Sequence, residues 1–136
     1  MNKQLPTIAD DVAAAFNNMP IDVAKKLHKI RQMIYEIASS SPDVGEVEEC
    51  LKWGEPSYLT HHPKSGTSIR LAWKEKTGTF GIYVPCQTRL IEDFKMISGD
   101  QIRFDKTRGL LFEETTNFPK DLVASFLKQA LTYHLK

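Results

Sequence analysis

Arg70 and Tyr83 lie on two alternating segments separated by a short polar stretch. In Ser68-Ile69-Arg70-Leu71-Ala72-Trp73, Ile69, Leu71 and Trp73 recur at every second position, so Arg70 points to the opposite face of a strand. In Thr79-Phe80-Gly81-Ile82-Tyr83-Val84, Tyr83 likewise opposes Phe80, Ile82 and Val84. Thr77-Gly78 between them is a hairpin-turn signal. If the two strands pair, Arg70 and Tyr83 share a face. A guanidinium beside a phenol can grip a carboxylate or phosphate, and Lys74 and Arg108 add charge to the group. The competing reading is a solvent-facing strand with ordinary polar residues. Trp53 and Tyr58 flank Pro56 and could wall a pocket, since each offers apolar area with a polar tip. They serve equally as a turn and core plug.

Cys86 follows Pro85 where a helix is predicted to open at Gln87 or Thr88. A thiol at a helix N-terminus is acidified, and the free N–H groups there attract anions. Nucleophilic catalysis would also need a base, and His61, His62 and His134 have no spacing that pairs them with Cys86. The alternative is an unreactive small side chain. His61-His62 sits in a Pro/Gly-containing turn, His61 to Thr67, and reads as an exposed loop because adjacent side chains on an extended chain point apart. No cysteine-pair spacing supports structural zinc. The basic run Lys25, Lys26, Lys29 and Arg31 reads as a solvated helix face, and no aromatics interleave it as nucleic-acid binding would require.

The elements that must carry these residues follow from periodicity. Thr7 is placed as the cap of a first helix, with Asp10 and Asp11 in its first turn and Ile8, Val12, Ala15 and Phe16 at helical spacing. A second helix runs from about Pro20 to Ser39 on the stripe Val23, Leu27, Ile30, Ile34 and Ile37. Val47 to Trp53 and Ser57 to Thr60 are predicted strands, the second set off by Pro56. A helix with Leu90, Ile91, Phe94 and Ile97 closes at Ser98-Gly99. Ile102 to Phe104 and Gly109 to Phe112 are short strands around Asp105-Lys106-Thr107. The last helix starts after Pro119 and lines up Leu122, Phe126, Ala130 and Tyr133.

The chain has 136 residues, which fits a single domain spanning 1–136 with a core of its own. Eighteen Lys and Arg against 17 Asp and Glu leave a net charge of +1, which argues against coating nucleic acid or an anionic membrane through bulk charge. No apolar run approaches the roughly 20 residues of a membrane span. Met1 to Pro6 carries no apolar signal segment, and a cytoplasmic location is expected. Cys50 and Cys86, the two cysteines, are then free thiols. Strand clusters between helices predict an α+β two-layer sandwich: an antiparallel sheet covered by N-terminal, middle and C-terminal helices.

Four stretches together resemble the bacterial YdhG-like family of small domains of unknown function. They are Trp53-Gly54-Glu55-Pro56-Ser57-Tyr58, Ile69-Arg70-Leu71-Ala72-Trp73-Lys74, Gly81-Ile82-Tyr83-Val84-Pro85-Cys86-Gln87-Thr88 and Leu131-Thr132-Tyr133-His134. The resemblance spans about Ile21 to His134 and implies an α+β fold with an antiparallel sheet. Some members are described as frataxin-like intracellular iron chaperones. The resemblance therefore implies iron as a cargo, and the acids that would hold it are Asp10, Asp11, Glu46, Glu48 and Glu49. The residues themselves point to a cytosolic, non-enzymatic domain that binds a small, anionic ligand at the sheet face, through Trp53, Tyr58, Arg70, Tyr83, Cys86 and Arg108. A homodimer through an exposed strand or helix is a third reading.

Overall fold

A computed structural model describes residues 5–135; Met1 to Gln4, on which the reading of the N-terminus partly rests, lie outside them. Helix α1 (Asp10–Asn17) starts later than Thr7: Ala9 is the N-cap, with no side-chain cap, and Asp10 and Asp11 occupy the first turn. Helix α2 (Ile21–Ser40) buries Val23, Leu27, Ile30 and Ile34, with Ile37 half-buried beside them, as the stripe predicts. Strands β1 (Glu46–Lys52) and β2 (Glu55–His61) form a hairpin whose two-residue turn is Trp53-Gly54. Both turn residues have positive φ, 52° and 76°, the mirror-type turn whose twist suits a tight hairpin. Pro56 lies inside β2 rather than before it, opposite Leu51.

Strands β3 (Ile69–Lys74) and β4 (Thr79–Tyr83) pair across the expected hairpin. Then come α3 (Leu90–Ser98), β5 (Arg103–Asp105), β6 (Gly109–Glu113) and α4 (Lys120–Leu131). Short 3-10 turns cover Gly99–Gln101 and Tyr133–Leu135.

The six strands form one antiparallel sheet in the order β1-β2-β3-β4-β6-β5. Alternate residues of the strands, among them Tyr58, Ile69, Leu71, Phe80, Ile82, Leu110 and Phe112, join Phe16, Leu27, Ile34, Phe94 and Phe126 of the helices in one buried cluster. Each such side chain contributes on the order of 1.5–3 kcal/mol through removal from water. The helices therefore cover one face of the sheet, and the α+β two-layer architecture is the one the periodicity predicts. The other face carries Glu48, Glu55, Ser57, Leu59, His61, Arg70, Ala72, Lys74, Tyr83 and Asp105. Strands β2 and β3 pair only at Ser57–Arg70 and Tyr58–Ile69, so beyond Tyr58 they part. Among the described residues, no helix is long and apolar enough to cross a membrane.

Candidate functional site

Arg70 and Tyr83 share a face, as alternation predicts for paired strands, and the register makes them direct partners across β3 and β4, with Ser57 and Gly109 extending the same row. The Arg70 guanidinium lies 5.1 Å from the Trp53 ring and 5.8 Å from the Tyr83 ring. Its Nη1 donates to Glu55 Oε1 at 2.5 Å, and Lys74 Nζ lies 3.6 Å from the other oxygen of the same carboxylate. The Tyr83 hydroxyl donates to Asp105 Oδ2 at 3.0 Å, and Arg108 Nε is 3.7 Å from Asp105 Oδ1. Tyr83 is buried although it is on the uncovered face, because its ring lies across Gly109. A Cβ on Gly109 would sit 2.8 Å from ring carbons of Tyr83. Burial, and then the hydrogen bond to Asp105, push the Tyr83 phenol above its ordinary range.

Trp53, Arg70, Tyr83 and Arg108 thus come together, but as a closed set. Glu55 accepts from Nη1 of the guanidinium and Asp105 from the phenol. Arg70 and Tyr83 are thus each engaged by a carboxylate of the sheet itself, which an incoming anion would have to compete with.

Tyr58 is elsewhere. Its Cα partner is Ile69, so it points into the helix-covered face, where it is 1% exposed and donates to Glu49 Oε2 at 2.7 Å. Arg31 Nε donates to that same oxygen at 2.5 Å, and Nη2 donates to Glu49 Oε1 at 3.0 Å and to the Pro6 carbonyl at 2.9 Å. Glu49 is therefore a core ion-pair partner. Strand alternation separates it from Glu46 and Glu48, and Glu48 is bound to His61 Nε2 at 2.6 Å. Asp11 accepts from the Val12 amide, within α1. Among the described residues, no three His, Cys, Asp or Glu side chains are gathered as metal ligands.

Cys86 is exposed in a turn that Thr88 closes by donating from both its amide and its hydroxyl to the Pro85 carbonyl. That turn delays α3 until Leu90. The thiol is therefore not at a helix N-terminus.

Where β2 and β3 part, a recess of about 320 Å³ opens, lined by Lys52, Leu59, Thr60, His61, Lys64, Gly66, Thr67, Ser68, Pro85 and His134. Its back wall is the loop from 62 to 68, held firmly. The Ser65 hydroxyl donates to the Leu131 carbonyl at 2.8 Å, the Thr67 amide to the Ala130 carbonyl at 3.0 Å, and the Gly66 amide to Thr60 Oγ1 at 2.9 Å. The His134 amide donates to the Ser65 carbonyl at 2.8 Å, bringing that histidine to the recess. Among the described residues, Lys52 and Lys64 form no ion pair. Glu55, opposite Lys52 in the hairpin, is turned to Arg70 and Lys74 instead. Among the described residues, no carboxylate is in the lining; Glu48 is the nearest acid the structure ties to it, through its 2.6 Å contact with His61.

Sequence reasoning placed His61 in a loop and His134 at a chain end, and it assigned no role to Lys52, Lys64, Thr67 or Ser68. Their meeting depends on where two strands diverge, for which local pattern carries no signal. No family model, curated protein or solved structure matches the chain.

Proposed function

We propose that this protein is a non-enzymatic binding domain for a small anion, seated at the open end of the sheet between β2 and β3. One observation carries the reading: two lysines, Lys52 and Lys64, share a recess whose lining, among the described residues, includes no Asp or Glu. The volume, about 320 Å³, is at the small end of ligand sites, matching a phosphate-bearing or polycarboxylate metabolite rather than a nucleotide cofactor. Lysines act as point charges, and the hydroxyls of Thr67 and Ser68 supply short-range donors. The site stays at the sheet face, where alternation first directed attention, but moves from Arg70 to the β1–β2 half. A cytoplasmic setting and kinship with the YdhG-like domains belong to the same proposal. The iron-chaperone role has no comparable supporting geometry, since Glu49 is committed to Arg31 and Tyr58.

Thermal melting and calorimetric titration with inorganic phosphate, pyrophosphate and citrate test it. At least one of the three should raise the melting temperature; saturation at 100 times Kd corresponds to about 2.7 kcal/mol of added stability. Lys52→Ala combined with Lys64→Ala should abolish the shift, and Arg70→Ala should preserve it. If no anion shifts the melt, or the double variant responds like the parent, the proposal fails.

A further inference from the structure

We infer that a second surface, at the opposite end of α4, receives an acidic peptide segment of a partner protein. The basic residues of α2 do not simply face water. Lys25, Lys26 and Lys29 meet Lys120 at the start of α4, and with Asn117 and Phe118 they bound a groove of about 320 Å³. Phe118 is half-buried and packs on Phe112 with ring centroids 6.2 Å apart, so it forms a fixed apolar floor. Lys26 is also fixed: its Nζ donates to the Glu114 carbonyl at 2.6 Å and lies 5.6 Å from the Phe80 ring centroid. Lys25, Lys29 and Lys120 form no ion pair among the described residues.

The first turn of α4 adds to this charge. Pro119 is its N-cap and provides no side-chain hydrogen bond, so amides at the positive end of the helix dipole stay available. Asp121 is the one acid in that turn. A protein of net charge +1 has therefore gathered four of its 18 Lys and Arg around one aromatic ring. This charge is complementary to an acidic ligand that also presents an apolar group.

The shape selects a peptide. The groove is open along its length rather than enclosed. Ile21, 74% exposed, stands one turn before Lys25, which stands one turn before Lys29. Ile21 is outside the groove lining but prolongs the face: from Ile21 to Lys29 is about 12 Å at 1.5 Å per residue, so an extended occupant of the groove has surface to continue along. An extended segment with carboxylates on either side of one large apolar residue fits it: the apolar residue rests on Phe118 and the acids meet the lysines. A nucleic-acid strand would call for a longer phosphate track and repeated aromatic platforms, whereas this groove holds a single ring. The surface is independent of the anion recess: α4 has 12 residues, so its two ends lie about 18 Å apart.

Fluorescence anisotropy with a labelled acidic peptide carrying one central phenylalanine tests the inference on the full chain. The comparison probes are the same peptide with alanine at the centre and a labelled oligothymidylate of equal charge. Binding should be strongest for the phenylalanine peptide, weaken at least about tenfold in the Lys25→Glu, Lys29→Glu double variant, and weaken as salt rises. Both substitutions are on an exposed helix face, and an unchanged melting temperature confirms that the fold persists. Equal binding of parent and double variant, equal binding of the two peptides, or tighter binding of the oligonucleotide would each overturn it.

Discussion

Glu49 is the acceptor for both Arg31 and Tyr58 inside the core, with side-chain exposures of 6% for Arg31 and 8% for Glu49. Bringing two charges out of water is offset only while each keeps the other. Removing one leaves an unpaired buried charge, costing about 3–5 kcal/mol, whereas replacing both with apolar residues of similar volume is close to neutral. Arg31→Met alone should therefore lower stability by that amount in urea unfolding, and Arg31→Met with Glu49→Leu and Tyr58→Phe, which leaves no orphaned hydroxyl, should restore most of it. The tyrosines give a pH dependence with a definite sign. Burial raises Tyr35 to about 12 and also raises Tyr58 and Tyr83 above the ordinary 10, the Tyr58 shift aided by the Glu49 carboxylate beside it. A raised phenol keeps its proton in the folded state after the unfolded chain has lost it. Stability from these groups is intact below pH 10 and falls as pH rises through 10 towards the folded values. Melting temperatures measured across that range should drop, and Tyr58→Phe should lessen the drop.

The recess depends on the loop between β2 and β3 lying tight against the end of α4. Gly66 makes that approach: a Cβ there would be 2.5 Å from the Ala130 carbonyl oxygen and 2.6 Å from the Leu131 Cα. Gly66→Ala should cost about 1–3 kcal/mol by overpacking and weaken anion binding, both readable in one melt with and without phosphate. Much at this scale was legible beforehand. The α2 stripe, the β3–β4 hairpin and the shared face of Arg70 and Tyr83 follow from period and turn chemistry; their direct pairing needs the register, which the four-residue turn from 75 to 78 sets. Three features were not. Pro56 pairs inside β2 because it sits on the first residues of the strand, beside a two-residue turn. The start of α3 moves to Leu90 because Pro85 and Thr88 form a turn of their own. Tyr58 was grouped with Trp53 and Arg70, but its face depends on the register between β2 and β3, which puts it opposite Ile69. That register is set in three dimensions and leaves no local mark.

For the molecule as a whole, near-neutrality conceals an uneven distribution: lysines without ion partners among the described residues flank both ends of α4, and the sheet centre is internally compensated. The sheet edges are also guarded. β1 presents Glu46, Glu48 and Lys52 on its open face, and β5 is only three residues long, both of which discourage strand addition by another chain. The β1–β2 turn has an optical consequence. It holds Trp53 84% exposed, immediately after Lys52 of the recess, while Trp73, the only other tryptophan, packs half-buried against the core on the opposite face. The two indoles therefore emit from unlike surroundings, one open to an aqueous quencher and the other less accessible to it. The chain carries its own gauge of this turn: a change in the more quenchable part of its fluorescence, with the less accessible part constant, separates an event at the β1–β2 hairpin from a disturbance of the core.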